Sequence, residues 1–245
     1  MKILYLVPAA ISKGPMGPGV LVLRQQLLQE RASAGFEWEV SEIAGGPQSI
    51  ESINDEELCI PGMLQAGVVA ERNGLSAIVL GCFADPGLKL ARSRLGVPVL
   101  GPAECSLHSA CTLGIRYGIL TTSDDVVPLV RKVVSSTGLE DRMAGIRTIG
   151  TTVSQATQDP ELMIERLHRA GEAAVYLDGA DVLVLGCMSL AFLELANRLE
   201  EGLRVPVVCP LTSVVEAAER VVRARSHRGT GASARLLNHP QASAD

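Results

Sequence analysis

Leu75-Ser-Ala-Ile-Val-Leu-Gly-Cys82-Phe-Ala-Asp-Pro-Gly-Leu88 is an apolar run that ends in Gly-Cys and gives way to a turn and then a helical pattern. The chain repeats the device as Ala180-Asp-Val-Leu-Val-Leu-Gly-Cys187-Met-Ser-Leu190. A short apolar run bounded by turn and helix signals reads as a fully buried parallel strand. Each cysteine therefore stands at a strand's carboxyl end. In open α/β sheets ligands bind at that edge, where strands stop and helix N-termini begin.

The sequence after each cysteine repeats as well. A helical pattern from Leu88 to Leu95 leads to Gly96-Val-Pro-Val-Leu-Gly-Pro102, and one from Phe192 to Leu199 leads to Arg204-Val-Pro-Val-Val-Cys-Pro210. Two homologous half-molecules follow, each presenting one cysteine at the same place.

Working outward, Lys2 to Val7 reads as the first strand and Arg116 to Ser123 as its counterpart opening the second half. Phe36 to Ile43, Val97 to Gly101, Ala144 to Ile149 and Val205 to Cys209 supply the other strands. Helices are expected at Val20 to Ser33, Asp55 to Arg72 with an interruption near Pro61, Glu104 to Thr112, Asp124 to Ser136, Pro160 to Asp178 and Thr212 to Arg225. Strands alternating with helices call for two parallel four-stranded sheets related by a pseudo-twofold axis. The expected division is 1–101 plus 211–228 for the first half, 102–210 for the second, and a mobile polar tail over 229–245.

With 245 residues, 47% apolar and 20% charged, the chain can bury a real core and lies far from disordered compositions. A net charge of −5 with scattered basic residues excludes a nucleic-acid footprint, and Arg220, Arg223, Arg225 and Arg228 read as cations near a helix C-terminus. No apolar run reaches the roughly 18 residues of a membrane span. Met1 to Ala10 is interrupted by Pro8 and reads as a buried strand rather than a signal peptide, which implies a cytoplasmic, reducing setting. None of the six cysteines forms a CxxC pair or joins a histidine at ligand spacing, so no metal is expected. His108 and His168 read as structural or exposed. The Gly-rich loop from Pro8 to Gly19 is no phosphate cradle, because its prolines lack N–H groups and neither GxGxxG nor GK[ST] occurs.

Cys59, Cys105, Cys111 and Cys209 read as small buried hydrophobes. Cys82 and Cys187 differ, because two thiols related by a pseudo-twofold would face each other across the cleft between the halves. Inverting a carbon acid requires a base on one face and an acid on the other, roles that two such cysteines can exchange. A free thiol has a pKa near 8.5, so helix N-termini just after both cysteines are expected to favour the thiolate. Backbone N–H groups, with hydroxyls of Thr121, Thr122, Ser123 or Ser189, would stabilise the enolate oxygen. The scheme needs no cofactor. Asp85 and Glu104 read either as supports of this site or as helix caps.

Several segments resemble the Asp/Glu/hydantoin racemase superfamily, in its hydantoin and allantoin racemase branch. They are Gly46-Pro-Gln-Ser-Ile-Glu-Ser52, Cys82-Phe-Ala-Asp-Pro-Gly-Leu88, Val97-Pro-Val-Leu-Gly-Pro-Ala-Glu104, Leu113-Gly-Ile-Arg-Tyr-Gly-Ile-Leu-Thr-Thr122 and Leu185-Gly-Cys187. The resemblance implies two flavodoxin-like halves, Cys82 and Cys187 as the acid/base pair, a small-molecule substrate and a homo-oligomer. With Pro8, Ala9, Phe83 and Met188 added, the candidate substrate contacts are Pro8, Ala9, Phe83, Thr121, Thr122, Ser123, Met188 and Ser189.

The chain departs from the branch in two places. Where hydantoin racemases usually carry Asn-Pro-Asn-Thr it has Val7-Pro-Ala-Ala10, similar to arylmalonate decarboxylases and maleate isomerases, and Met188-Ser-Leu190 replaces the common Ala-Gly-Met. The leading expectation is a racemase or epimerase acting next to a carbonyl on a hydantoin-like compound. A cofactor-free decarboxylase, a cis–trans isomerase and a non-catalytic ligand binder are the competing readings. The decarboxylase pattern keeps only the second cysteine, which Cys82 argues against.

Overall fold

The computed structural model describes residues 1–15 and 17–236, with side chains as far as His227. Its first sheet contains β1 (Lys2–Val7), β2 (Glu37–Glu42), β3 (Ala77–Leu80) and β4 (Val99–Leu100) in the order β2-β1-β3-β4. The second contains β5 (Tyr117–Thr121), β6 (Met143–Thr148), β7 (Val182–Leu185) and β8 (Val207–Val208) in the order β6-β5-β7-β8. Every pairing is parallel, and the registers correspond: Leu4 lies beside Ile78 as Gly118 lies beside Leu183. The inner strands are buried along their length apart from Lys2 at the start of β1, as continuous apolar runs require when helices cover both faces.

The helices are α1 (Gly19–Arg31), α2 (Ile53–Arg72), α3 (Leu88–Arg94), α4 (Pro102–Leu113), α5 (Val127–Thr137), α6 (Pro160–Tyr176), α7 (Met188–Ala191), α8 (Ala196–Leu203) and α9 (Pro210–Leu236). Local chemistry sets several starts. Ser52 accepts the Asp55 backbone N–H at 3.2 Å, and Asp159 accepts that of Leu162 at 3.0 Å with Pro160 in the first turn.

Three expectations about the helices change. Pro61 does not interrupt α2, since both Pro61 and Glu57, whose carbonyl loses its partner, lie on the exposed side where water replaces the missing bond. The helix expected from Phe192 to Leu199 begins only at Ala196, as α8, because Glu194 takes a left-handed conformation at φ 57° and separates it from α7, which ends at Ala191. A right-handed helix cannot continue through such a residue, and the break lets both Leu190 and Leu195 turn inward. Finally, α9 runs past Arg225 to Leu236 with no proline to stop it. The tail expected from Gly229 thus begins within this helix, and its remainder, 237–245, lies outside the described residues.

The two helices that follow β4 and β8 change sides. Ala103, Leu107 and Ala110 of α4 pack with Tyr117, Ile119, Val182 and Val184 of the second sheet. Leu211, Val214, Val215, Ala218 and Val222 of α9 pack with the first sheet. Leu129, Met188, Ala191 and Phe192 also join the first core, so the halves share one apolar seam.

Candidate active site

Each Gly-Cys pair begins where its strand runs out. The Gly81 N–H donates to the Leu6 carbonyl at 2.7 Å, and the Gly186 N–H donates to the Leu120 carbonyl at 2.6 Å. Both glycines are required by close approach. A Cβ on Gly81 would sit 2.7 Å from the Tyr5 ring, and one on Gly186 would sit 2.6 Å from Ile119 and 3.0 Å from the Leu120 carbonyl. Since backbone and a fully buried isoleucine cannot yield, Gly186→Ala is expected to push Cys187 out of place. The expected cost is about 1–3 kcal/mol of stability, with loss of activity even in the folded fraction. Calorimetry and assay of the soluble variant check this; an unshifted Tm with full activity contradicts it.

Cys82 and Cys187 line the same cavity, of about 60 Å³. Pro8, Ala9, Phe83, Thr122, Met188 and Ser189 line it too, as expected from the sequence. Thr121 and Ser123 do not. The Thr121 hydroxyl donates to the Gly186 carbonyl at 3.1 Å and so braces the strand end, while the buried Ser123 hydroxyl lies off the wall. Sequence reading missed the apolar wall of Ile11, Ile50, Val126, Leu129, Val130 and Val153, which loops and α5 contribute. It also missed Arg24.

Arg24 is only 3% exposed and no acidic residue lines the cavity with it. Its guanidinium donates to the Ser189 hydroxyl at 3.3 Å and lies 4.8 Å from the Phe192 ring centroid, while its Nε has no partner. The sequence signal was its place on α1: Val20, Arg24 and Leu28 lie four apart on the buried stripe. The Tyr5 hydroxyl and the Thr122 hydroxyl are likewise buried without a partner. Tyr5 interacts electrostatically with Arg24 and with both cysteines, and burial pushes its hydroxyl well above the usual tyrosine range, so it stays a neutral donor.

The two thiols are not electrostatically equivalent. Burial raises both above the ordinary thiol value, Cys82 strongly, with only the Ala84 backbone N–H opposing it there. At Cys187 the N–H groups of Leu190 and Ser189 and the positive charge of Arg24 oppose the rise. The expected pair of helix N-termini is therefore half present. Cys187 caps α7, but Cys82 enters a turn with Asp85 at φ 49° and Gly87 at φ 62° before α3 begins.

Asp85 instead caps another helix. Its two carboxylate oxygens accept the N–H groups of Ala103 at 3.0 Å and Glu104 at 2.9 Å, tying the Cys82 turn to the start of α4. A Cβ on Gly101 would collide with this carboxylate.

Beyond the Cys82 turn, Lys132 of α5 reaches across to Glu56 of α2 with 3.0 Å contacts to both carboxylate oxygens. The Glu56 side chain is 4% exposed and that of Lys132 58%. Removing the lysine therefore strands a buried carboxylate, whereas Glu56→Gln leaves only a solvated ammonium. Lys132→Ala is expected to cost about 1–3 kcal/mol and Glu56→Gln clearly less. Urea unfolding of both variants tests the order, and equal losses would mean the buried acid does not depend on its partner.

Among the described residues, no group of three or more His, Cys, Asp or Glu is arranged to hold a metal ion, and no helix is long and apolar enough to cross a membrane.

Residues 22–218 match the sequence profile described as Asp/Glu/Hydantoin racemase. A hydantoin racemase of Pseudomonas sp. (strain NS671) is 38% identical over 177 residues, 72% of this chain and 70% of that protein. An allantoin racemase from Pseudomonas fluorescens superposes with a TM-score of 0.83 at 27% identity, covering 91% of this chain and 92% of its own. One from Klebsiella pneumoniae does so at 0.82 and 27% identity, covering 91% and 88%.

Proposed function

Because the chain belongs to the Asp/Glu/hydantoin racemase family, we propose that it is a cofactor-independent racemase or epimerase. Its substrate is a hydantoin-like or related small carbonyl compound, and it acts at the carbon next to the carbonyl. The observation that carries this reading is the pair of thiols lining one cavity from equivalent ends of β3 and β7. The neighbouring proteins named for hydantoin and allantoin support the substrate class.

In this mechanism the thiolate of one cysteine removes the hydrogen from the substrate's stereocentre. The electron pair moves onto the carbonyl as an enolate, and the opposite thiol returns a proton on the other face. The cysteines thereby exchange protonation states, and the reverse reaction runs through the same steps with the roles swapped. At Cys187, backbone N–H groups and Arg24 favour the thiolate against the effect of burial. The unpartnered Thr122 hydroxyl on the cavity wall is the available donor to the enolate oxygen.

Incubation of the protein in deuterated water with allantoin and 5-substituted hydantoins, followed by NMR and polarimetry, tests the proposal. Deuterium should enter at the stereocentre as optical rotation is lost. Absence of exchange across the panel would overturn it. Pro8 and Ala9 on the cavity wall favour a second reading, a cis–trans isomerase in which a thiolate adds to a double bond. A maleate-type substrate in the same panel separates the two.

A further inference from the structure

We propose that Arg24 is the docking point for a carboxylate on the substrate, so that the preferred substrate carries an ionised acid beside its reacting centre. The inference rests on the reading of the cysteine cavity as the racemase site and narrows its substrate class.

A guanidinium keeps its charge in a protein, and an isolated charge within an apolar wall is costly unless something neutralises it. Arg24 has only 3% of its surface exposed and faces the cavity; among the described residues it makes no ion pair, and its side-chain bonds leave Nε idle. Every other side chain on that wall except Ser49, Cys82, Thr122, Cys187 and Ser189 is without a polar group. The fold thus holds a planar, fixed fork over the Phe192 ring with no carboxylate of its own to meet it. A carboxylate matches such a fork. The apolar surface opposite, built by Ile50, Val126, Leu129 and Val130, suits the uncharged part of the same molecule.

The test needs no knowledge of the substrate. Iodoacetate and iodoacetamide have the same reach and leaving group and differ by one negative charge; in each case a C–S bond forms as iodide departs. Peptide mapping of Cys187 after brief exposure to each gives the ratio of the two rates. In the wild type iodoacetate should be faster by about tenfold or more, the gain expected from one charge-assisted contact. Arg24→Gln should bring the ratio to one or below, and Arg24→Lys should retain part of the preference. A wild-type ratio at or below one overturns the proposal, as does a preference that survives Arg24→Gln. Equal slowing of both reagents in Arg24→Gln also overturns it, since Arg24 would then act on the thiol alone. The deuterium-exchange assay stands apart. Exchange on uncharged hydantoins together with a failed alkylation ratio would sink only the carboxylate, and a positive ratio without exchange would sink only the racemase.

Discussion

Cys82→Ser and Cys187→Ser should each lower racemisation by about 10²–10⁴-fold, the range that a positioned acid or base contributes. Serine keeps the shape of the site but gives up the group that ionises, so the fold should be untouched and melting curves should superpose on the wild type. The two variants should also differ in a way that identifies the faces. With Cys82 replaced, Cys187 can still remove the hydrogen of the enantiomer that presents it to that side, giving slow exchange without inversion. With Cys187 replaced, any residual exchange should switch to the opposite enantiomer. It should also be slower, because Cys82 has only the Ala84 N–H to offset its burial. Full activity in either single variant would end the two-thiol mechanism. Release of carbon dioxide from a 2-substituted malonate that depends on Cys187 alone would move the protein to decarboxylation.

The second large effect concerns stability and runs through Asp85. Burial raises this carboxyl from its ordinary value of 3.8 to about 7, with the Glu104 and Ala103 N–H groups opposing the rise. The folded protein therefore holds a proton between those values that the unfolded chain has released. Its stability from this group is complete below 3.8 and is lost as pH rises through the window to about 7. Asp85→Asn does not titrate. The stability difference between wild type and Asp85→Asn should shift against the wild type by at most about 4 kcal/mol from about pH 4 to about pH 8. Urea unfolding of both proteins at both pH values measures it. If the wild type instead gains on its variant with rising pH, the two backbone donors outweigh burial and the folded carboxyl lies below its ordinary value.

Much of this architecture is legible in the residues alone. Continuous apolar runs that stop at Gly-Cys mark the inner strands and the edge on which both cysteines stand, because burial on both faces leaves its trace on every residue of β3 and β7. The parts that escaped depend on single backbone angles or on unpatterned loops. Nothing in Phe192-Leu-Glu-Leu announces that Glu194 turns left-handed and holds the helix back to Ala196. Thr121 and Thr122 are neighbours of the same type, yet the first is the last residue of β5 and donates to the Gly186 carbonyl while the second, just past the strand, lines the cavity. Arg24 was legible in principle, since a charge on the buried stripe of α1 is out of place unless it serves something inside.

The side-changing of α4 and α9 reaches into the history and engineering of the molecule. A chain cut between β4 and α4 would yield two unequal fragments: the first would lack α9, which covers its sheet, and the second would keep α4 on its own sheet but carry α9 with its apolar face unmet. A lone ancestral half would have met the same shortage, and the simplest remedy is a pair of copies that lend each other their final helix. Joining two such copies end to end would give the present topology without moving a single strand. Each thiol would then stand where its twin already stood in the pair.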